Sequence, residues 1–527
     1  MRQAILVGLF LGTVLAASLP ASTALAAPET AVSVSAGEQH SCALLASGGV
    51  KCWGANFDGQ FGDGTQVNST TPSDTAGLTN AVALSAGYSH TCAVTATGAA
   101  KCWGYNLQGQ IGNDSPSFWI TAPATPVGLG SGVVSIGGGS GHTCALLATG
   151  VVKCWGYNAY GQLGDGTTID RPTPVSVVGL SSGVTAIAVG RRESCALLSG
   201  GGVLCWGLNT AGQLGVGTQT GPELCGGIAC SRTPVSVSGV TDAVSIAPGG
   251  SHMCIVTAAG GAKCWGANTT GQVGDGTNDT RTTPVDVSGL TSGVEALATG
   301  GLHTCAVTGA GGAKCWGRNA DGELGDGTSF DSNVPVDVSG LTSGVAAIGL
   351  GYNHSCAVLD GGGVRCWGRN PYGQLGNGTT SPSAVPVDVL GLSGVSVDTD
   401  GDSCTDDVEI RTTLAAQETG GKRNPLSFWD FFETPDQNNA RNGTIDLFGD
   451  VFGVAYRFGA NDAGGSAPIN RNSDPFSAPP AAPAYHPAFD RSAPPPGGDP
   501  WDAGAPDGTI DLFVDVFGVA TQFGHHC

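Results

Sequence analysis

HTCALLATGVVKCWGYNAYGQLGDGT, residues 142–167, places a histidine two positions before a cysteine, a second cysteine ten residues later, and then a run rich in glycine. The pattern recurs along the 527-residue chain, and its CWG triplets begin 50, 52, 51, 59, 51 and 51 residues apart. Seven copies at a near-constant period of this size predict a repeat architecture. The triplets begin at Cys52, Cys102, Cys154, Cys205, Cys264, Cys315 and Cys366.

Each unit contains four short runs with the composition of β-strands. In the third unit they are VVSIGGG (133–139), HTCALLA (142–148), VVKCWGY (151–157) and TPVSVVGL (173–180). A single four-stranded sheet would leave its edges and an apolar face exposed, whereas radial packing of seven sheets buries these faces. With 88 glycines and 12% charged residues, the composition also suits a turn-rich β-protein. We therefore predict an all-β, seven-bladed propeller over residues 27–397.

The shared pattern of the units, H-S/T-C-A-L followed by C-W-G-x-N-x-x-G-Q-L-G-x-G-T and P-V-x-V-x-G-L, resembles the regulator of chromosome condensation repeat family. The cysteine-bearing variant resembles exported bacterial members. The resemblance implies the propeller fold but no single activity, because the family includes a nucleotide exchange factor for a nuclear GTPase, a plant ultraviolet receptor and a secreted bacterial inhibitor of β-lactamases. Nucleotide exchange is not expected, since an exported protein would not meet that GTPase.

The 18 cysteines predict a framework of disulfides. In every unit two cysteines stand ten residues apart, and a turn between them would fold two strands into a hairpin in which the cysteines face each other. Cys225 and Cys230 lie in an insertion and are expected to pair as a stiff projecting loop, which leaves Cys404 to pair with Cys527. The alternative, a zinc site from the histidine and two cysteines, lacks a fourth ligand. The pairs predicted within units are Cys42–Cys52, Cys92–Cys102, Cys144–Cys154, Cys195–Cys205, Cys254–Cys264, Cys305–Cys315 and Cys356–Cys366.

Other residues are also copied from unit to unit. Six units have a histidine before the first cysteine, while the fourth has Glu193. Copied residues are expected to build the scaffold, because catalysis normally needs a group that occurs once. We predict that the histidines hydrogen-bond within their blades, that each CWG tryptophan packs between blades, and that the asparagine three residues later holds the following turn. The histidines are His40, His90, His142, His252, His303 and His354, and the asparagines are Asn56, Asn106, Asn158, Asn209, Asn268, Asn319 and Asn370.

The amino-terminal sequence predicts export. Residues 1–26 have the pattern of a signal peptide, with Arg2, an apolar core over 4–17 and the small residues ALA at 24–26. We therefore expect a secreted, extracellular protein, released or held at the cell surface, with no transmembrane segment after signal removal. The net charge of −21 argues against nucleic acid as a partner. An extracellular protein or a cell-surface polymer is expected instead.

An acidic stretch directly after the last unit predicts calcium as a cofactor. DTDGDSCTDDVE (398–409) has carboxylates at positions 1, 3, 5, 9 and 12 of a calcium loop, and Cys404 at position 7 would contribute its backbone carbonyl. The alternative is a solvated acidic linker. The carboxylate ligands would be Asp398, Asp400, Asp402, Asp406 and Glu409.

Farther along, NGTIDLFGDVFGVAYRFG (442–459) returns as DGTIDLFVDVFGVATQFG (507–524), with 14 of 18 positions identical. The apolar spacing predicts an amphipathic helix after a loop, and the duplication is similar to the dockerin family, whose paired calcium loops dock onto a partner domain. We divide the tail into a calcium-loop region with the first loop–helix repeat (398–459), a linker rich in alanine, proline and glycine (460–500) and a second repeat (501–527). The resemblance implies calcium ligands at Asn442, Asp446, Asp450, Asp507, Asp511 and Asp515.

Departures from the repeat are where function is expected to lie. The second unit carries Phe118 and Trp119 on a loop, and the fourth carries the adjacent Arg191 and Arg192 in an otherwise acidic protein. Such residues suit the anchoring of a partner. Ordinary variation between loops would explain them equally well, so both interpretations stay open.

These observations favour a secreted, non-catalytic propeller that binds a protein or a cell-surface polymer, with a calcium-binding tail for anchoring or assembly. The second hypothesis is a secreted inhibitor-type propeller that binds an extracellular enzyme. The third is a polysaccharide-associated enzyme component. A carboxylate pair in the central funnel of the ring would favour the third.

Overall fold

The computed structural model describes residues 29–392, which form seven antiparallel β-sheets arranged as the blades of a ring. The blades are numbered 1 to 7 in chain order. Six of these sheets have four strands, and the sheet of blade 4 has five. The described residues contain no helix. The predicted all-β propeller with seven blades is confirmed for this part of the chain.

In six blades the strands follow chain order from the axis outwards, and in blade 4 the additional strand β16 lies outside β17. The first strands are β1 (Ala31–Ala36), β5 (Ala81–Ala86), β9 (Val133–Gly138), β13 (Val184–Val189), β18 (Ala243–Pro248), β22 (Val294–Thr299) and β26 (Val345–Leu350). The second strands are β2 (His40–Leu45), β6 (His90–Thr95), β10 (His142–Leu147), β14 (Glu193–Leu198), β19 (His252–Thr257), β23 (His303–Thr308) and β27 (His354–Leu359).

The outer half of each blade is built in the same way. The third strands are β3 (Val50–Gly54), β7 (Ala100–Tyr105), β11 (Val152–Gly156), β15 (Val203–Leu208), β20 (Ala262–Gly266), β24 (Ala313–Gly317) and β28 (Val364–Gly368). The fourth strands are β4 (Ser69–Asp74), β8 (Trp119–Ala124), β12 (Arg171–Ser176), β17 (Ile228–Ser236), β21 (Arg281–Asp286), β25 (Ser332–Asp337) and β29 (Ser383–Asp388). The additional strand of blade 4 is β16 (Glu223–Cys225).

The antiparallel order places the connections on two opposite faces of the ring. The turn from first to second strand and the long loop from third to fourth strand lie on one face, which we call the upper face. The hairpin between second and third strands and the connection to the next blade lie on the lower face. Because the first strands contact one another around the axis, the turns that follow them surround the axis on the upper face.

The hydrophobic core lies between neighbouring blades. Trp155 of blade 3, for example, is fully buried in a cluster with Val94 and Ile111 of blade 2. Its Nε1–H donates to the carbonyl oxygen of Gln110 at 2.8 Å. All seven CWG tryptophans donate in this way to the preceding blade. The predicted packing of tryptophan between blades is therefore confirmed.

Blades 7 and 1 close the ring through the same kinds of contact that join the six other pairs of neighbouring blades. β1 packs on β26 and β27, and Trp53 Nε1–H donates to the carbonyl oxygen of Gln374 at 2.9 Å. Each sheet is built from consecutive strands. Within the described part of the chain, closure therefore uses no strand exchanged between the first and last blades.

The copied asparagines hold the long loops of the upper face, as predicted. Asn158 Oδ1 accepts the N–H of Leu163 at 3.0 Å, and its Nδ2 donates to the carbonyl oxygen of Thr167 at 3.2 Å. One side chain thereby satisfies backbone groups at both ends of the loop. The same Oδ1 contact recurs in every blade.

The structure supports the predicted pairing of cysteines within each unit. Cys144 and Cys154 are register partners on β10 and β11, with Cα atoms 4.0 Å apart and their sulfurs bonded. All seven blades repeat this arrangement. Cys225 and Cys230 are also joined. They lie in a short β-hairpin within the insertion, in which β16 pairs with residues 228–230. These three residues lengthen β17 to nine residues, whereas the fourth strand of every other blade has six.

Several sequence-based predictions lie outside the described residues. They are the signal segment (1–26), the two tail regions with their linker (398–459, 460–500 and 501–527), the Cys404–Cys527 pair and all of the predicted calcium ligands. Within residues 29–392, no three metal-ligating side chains gather in one place. The same residues contain no helix of the length and apolarity that spanning a membrane requires.

Candidate functional site

The upper end of the axis opens into a cavity of about 120 Å³ that all seven blades line. Each blade contributes the last residue of its first strand, then a glycine, then one further residue, as in Ala36, Gly37 and Glu38. The glycine is present in every blade, whereas the third residue varies around the ring. We call these third residues the mouth. They are Glu38, Tyr88, Ser140, Arg191, Gly250, Gly301 and Tyr352.

A closed belt of backbone hydrogen bonds joins the seven turns. It starts in blade 1, where Glu38 N–H donates to the Tyr88 carbonyl oxygen at 3.1 Å, and closes where Tyr352 N–H donates to the Gly37 carbonyl oxygen at 3.1 Å. Because these bonds use backbone atoms, mouth side chains can change without breaking the belt. The other links are Tyr88 N–H to Gly139 O (3.0 Å), Ser140 N–H to Arg191 O (3.2 Å), Arg191 N–H to Gly249 O (3.4 Å), Gly250 N–H to Gly300 O (3.0 Å) and Gly301 N–H to Tyr352 O (3.2 Å).

The copied glycine is required by the close approach of neighbouring turns. A Cβ atom on Gly37 would collide with the carbonyl oxygen of Gly87 and with the ring of His40. Only glycine allows the backbone of one turn to lie against both its neighbour and the histidine beneath it. The turns are thus packed tightly on all sides, and the positions of the mouth residues are fixed by the scaffold.

Three mouth side chains from separate blades meet over the axis. The ring of Tyr352 stands edge-on to the ring of Tyr88, with 5.9 Å between centroids. Arg191 Cζ lies 5.9 Å from the centre of the Tyr352 ring. A Cβ atom on Gly301 would lie 2.7 Å from Cδ2 of Tyr352, so the glycine at this position leaves room for the aromatic ring. These contacts join blades 2, 4 and 7, and they form only in the closed ring.

Glu38 is the one carboxylate among the described residues that line the cavity. Burial raises its pKa, against the opposing effects of the Tyr88 hydroxyl and the charge of Arg191. Burial and the Glu38 carboxylate in turn raise the pKa of the Tyr88 hydroxyl well above its usual value. The cavity therefore combines one acid, one guanidinium and two phenols, and the carboxylate pair that would favour an enzyme is not among these lining residues.

A second belt, made of buried histidines, lies directly beneath the mouth. The predicted hydrogen bond within a blade is wrong, because the first residue of each second strand faces the next blade. His142 Nε2 lies 2.9 Å from the hydroxyl of Ser194 in the next blade, and that hydroxyl donates to the carbonyl oxygen of Gln162 at 3.0 Å. Since the hydroxyl proton is used, Nε2 carries a proton and donates. The six pairs are His40–Thr91, His90–Thr143, His142–Ser194, His252–Thr304, His303–Ser355 and His354–Ser41.

These six imidazoles are neutral at physiological pH. Each is fully or almost fully buried, and none of them is hydrogen-bonded to a carboxylate of residues 29–392. Burial lowers the pKa of each histidine to about 3 or about 4. The belt is therefore a structural device that depends on uncharged histidine.

The histidine belt is interrupted once, between blades 4 and 5. Blade 4 has Glu193 at the histidine position, and blade 5 has Met253 in place of serine or threonine. Glu193 is fully buried. Its Oε2 accepts the N–H of Arg192 at 3.2 Å. Its Oε1 lies near the side-chain amide of Gln213 but forms no hydrogen bond of good geometry with a described residue. Burial raises the pKa of Glu193 to about 8, so its carboxyl group is mostly uncharged at pH 7.

The sequence matches the profile of the RCC1-like domain over residues 12–297, which is more than half of the chain. The chain belongs to the RCC1-like domain family. Its later blades also match two profiles of the regulator of chromosome condensation (RCC1) repeat, one over residues 294–323 and 345–374 and the other over 315–358 and 361–399. The family predicted from the copied motifs is thereby confirmed.

Two relatives show how far the RCC1-like likeness extends. The ultraviolet-B receptor UVR8 of Arabidopsis thaliana is 29% identical over 400 residues, which cover 72% of this chain and 87% of the receptor. The human E3 ubiquitin-protein ligase HERC2 is 31% identical over 270 residues, which cover 50% of this chain and 5% of the ligase. The match to the ligase is therefore confined to a small part of that protein.

Solved structures with the same RCC1-like fold include human WBSCR16, with a TM-score of 0.55 at 23% identity over 62% of this chain and 86% of that chain. Yeast RCC1 (Prp20) bound to Kap60 has a TM-score of 0.57 at 20% identity over 75% of this chain and 92% of that chain. At these identities the likeness shows the fold alone.

The RCC1-like ring separates the four residues predicted to contact a partner. Arg191 lies in the mouth, and Arg192 lies beside it with its guanidinium 5.1 Å from the centre of the Tyr160 ring. Phe118 and Trp119 are 54% and 49% exposed at the start of β8, on the outer part of blade 2. The structure thus brings the arginines to the centre of the upper face and leaves the aromatic pair at its rim.

The residues predicted from the sequence to contact a partner did not include Glu38, Tyr88 and Tyr352. All three follow the copied glycine of the first strand, as Arg191 does. The available signal was variation at one position of an otherwise constant stretch. Arg191 stands out in the sequence because its neighbour is also arginine, whereas a lone tyrosine or glutamate does not.

Proposed function

We propose that this RCC1-like protein is a non-catalytic binding propeller that docks a partner protein on its upper face, centred on the mouth. One observation carries the proposal: a closed belt of backbone bonds holds seven positions whose side chains vary. Copied residues supply the geometry of the ring, and the varied residues supply recognition. A rigid scaffold that displays variable side chains is the usual arrangement of a binding site.

The chemistry of the mouth suits a protein partner. Tyrosine and arginine are enriched among the residues that dominate binding energies, and Tyr88, Tyr352 and Arg191 are all half-buried. Their backbone is already fixed, so binding would order few additional groups and little conformational entropy would be lost. Phe118 and Trp119 at the rim would extend the same contact surface outwards.

The RCC1-like relatives support protein binding as a class of function. Yeast Prp20p has been studied for its binding to Gsp1p and histones, and yeast RCC1 (Prp20) has been solved in complex with Kap60. They share the fold with this chain at 24% and 20% identity. That likeness supports a protein partner without identifying one, and the ligase activity of HERC2 is not part of the proposal.

We further propose that the protein is exported and that its partner is extracellular. The described residues contain eight bonded cysteine pairs and no free cysteine. Disulfides persist in oxidising compartments and are rare in the cytosol of most organisms. The signal-like sequence of residues 1–26 supports the same location. Detection of the mature chain in the culture medium tests this proposal, and retention in the cytosol would contradict it.

The acidic segment 398–409 is proposed to bind calcium and to anchor or assemble the propeller. The support is the spacing of its carboxylates, which supplies hard oxygen ligands in the order that a calcium loop requires. Calorimetric titration of calcium into the full chain tests this proposal. Absence of any heat of binding would contradict it.

Replacing Arg191 or Tyr352 by serine is expected to abolish capture of the extracellular partner by the immobilised full chain. Serine occurs naturally in the mouth as Ser140, so it should leave the backbone belt intact. The matched control is Arg365→Ser, which removes the same charge at a site that is ion-paired with Asp388 at 2.8 Å, outside the mouth. Capture would be measured from native culture medium by mass spectrometry. Equal capture by the mouth variants and the control would overturn the proposal.

A further inference from the structure

Two adjacent arginines on the upper face have no acidic partner among the described residues. Residues 29–392 contain eight arginines. Six of them lie within 4.0 Å of a carboxylate oxygen, namely Arg171, Arg232, Arg281, Arg318, Arg365 and Arg369. Arg191 and Arg192 form no such ion pair with any described residue. On a chain with a net charge of −21, this is an exception that requires an explanation.

The two guanidinium groups are held by aromatic rings instead. Arg191 Cζ lies 5.9 Å from the centre of the Tyr352 ring, and Arg192 Cζ lies 5.1 Å from the centre of the Tyr160 ring. Arg192 Nη1 also donates to the Tyr160 hydroxyl at 3.4 Å, which leaves its other N–H groups free of this contact. Contact with the face of a ring positions a guanidinium while leaving N–H groups at its edge available to a carboxylate. Both arginines are half-buried, so their charge is screened less than that of a fully exposed side chain.

The surroundings of these arginines are poor in negative charge. The mouth residues of the flanking blades are Ser140 and Gly250, and neither carries charge. Glu193, which follows the arginines in the chain, is buried and mostly uncharged at pH 7 because burial raises its pKa. Glu38 is the remaining acid of the mouth, in blade 1. It lies against the Tyr88 hydroxyl, and the charge of Arg191 acts on it, but the two side chains form no ion pair within 4.0 Å.

The two arginines point in different directions from one turn. Arg191 reaches over the axis to blade 7, whereas Arg192 reaches outwards to Tyr160 on the long loop of blade 3. Their guanidinium groups therefore lie at two separate places, one in the cavity and one beside it. A cavity of about 120 Å³ is of the size of one amino-acid side chain.

We propose that the mouth recognises an acidic segment of a partner protein, with one carboxylate side chain inserted at Arg191 and a second held at Arg192. The inference rests on the proposed function, because it specifies the chemistry of the partner that docks there. Carboxylate and guanidinium form bidentate, charge-assisted hydrogen bonds, which give both strength and orientation. Glu38 opposes this binding by repulsion and thereby limits its strength.

A fluorescently labelled hexaglutamate peptide tests the proposal by anisotropy with the full chain, and a hexaserine peptide serves as the reference. Hexaglutamate is expected to bind and hexaserine is not, and added salt should weaken the binding. Because the chain itself is strongly acidic, general electrostatic attraction cannot produce this result. Undetectable binding of hexaglutamate would overturn the proposal.

Substitutions identify the binding site and show whether each charged side chain favours or opposes binding of the peptide. Arg191→Ser and Arg192→Ser are each expected to weaken binding by about tenfold, Glu38→Gln to strengthen it by about threefold, and Arg365→Ser to leave it within about twofold of wild type. Equal weakening by Arg191→Ser and Arg365→Ser would also overturn the proposal. If hexaglutamate fails while Arg191→Ser still abolishes partner capture, the acidic chemistry is wrong and docking at the mouth stands.

Discussion

Acidification from pH 7 to pH 5 is expected to lower the unfolding free energy of the propeller by several kcal/mol, a loss comparable to the whole stability of an ordinary domain. The cause is the belt of six buried histidines beneath the mouth. Burial lowers the pKa of each to about 3 or about 4, whereas histidine in an unfolded chain has a pKa of about 6.5.

The sign of the effect follows from where protons bind. As the pH falls below about 6.5, the unfolded chain takes up protons on its histidines, while the folded ring takes up none there until about pH 4. The six histidines therefore favour the unfolded state as the pH falls through this interval, and the opposite effect of the single Glu193 is smaller than their sum. Each buried histidine contributes up to about 1.4 kcal/mol per pH unit, and the six act together.

Urea unfolding of the full chain at several pH values between 7 and 5, followed by tryptophan fluorescence, measures this loss. The double variant Glu193→His/Met253→Thr is a matched comparison, because it supplies the histidine and the hydroxyl that the belt lacks between blades 4 and 5. It should show a steeper loss of stability with acid than wild type. A stability that stays constant from pH 7 to pH 5 would show that the histidines are not buried as neutral groups.

Glu193→Gln is expected to stabilise the propeller by an amount that grows with pH. Between pH 5.5 and pH 7.5 the advantage of the variant over wild type should increase by roughly 3 kcal/mol. Burial raises the pKa of Glu193 to about 8, and Oε1 of this carboxyl forms no hydrogen bond of good geometry with a described residue. Glutamine has nearly the same shape as the protonated acid and does not ionise.

The direction again follows from proton binding. In the unfolded chain Glu193 loses its proton near pH 4.3, whereas the folded ring retains the proton up to about pH 8. Through Glu193 alone, rising pH therefore favours the unfolded state of wild type between these values, and the variant is free of this contribution. The six histidines are the same in both proteins, so their contribution cancels in the difference.

Paired urea unfolding of wild type and Glu193→Gln at pH 5.5, 6.5 and 7.5 measures this difference directly. Glu295→Gln is the matched control, because it makes the same substitution at an exposed carboxylate of β22. The difference between this control and wild type at each pH is the baseline against which the Glu193→Gln difference is compared. A Glu193→Gln difference that stays parallel to this baseline would mean that this carboxyl is ionised in the folded ring.

The fold could be predicted because its information is repeated. The CWG triplet, the cysteine spacing and the four apolar runs occur in all seven units, so each unit reports the same local structure. Sequence spacing also placed Cys144 opposite Cys154, because a hairpin fixes which residues face each other. Each of these features depends on interactions between residues that are close together in the chain.

The mouth could not be predicted, because it depends on closure of the ring. Arg191 and Tyr352 are far apart in the chain and meet only over the axis. His142 contacts Ser194 of the next blade rather than a residue of its own blade, and the sequence shows a histidine next to a hydroxyl in the same unit as well. The paired change to Glu193 and Met253 was visible in the sequence, but its meaning required knowledge of which blades touch.

Blade 4 gives a different example. The insertion that carries Cys225 and Cys230 predicted a loop, because it has no counterpart in the other units. In the structure Glu223, Leu224 and Cys225 pair with residues 228–230 of the same insertion. The insertion therefore forms a hairpin with itself, closed by the Cys225–Cys230 bond, and the sequence did not show which of its residues are extended.

The central claim is that copied residues build the ring, while the varied residues of the mouth serve recognition. The unfolding free energy of a variant with serine at Glu38, Tyr88, Arg191 and Tyr352 tests it most directly, beside Trp155→Ala as the copied-residue comparison. The mouth variant should lose no more than about 1–2 kcal/mol, whereas loss of the fully buried tryptophan should cost about 3–5 kcal/mol. A mouth variant as unstable as Trp155→Ala would show that the mouth is part of the architecture and would contradict the account.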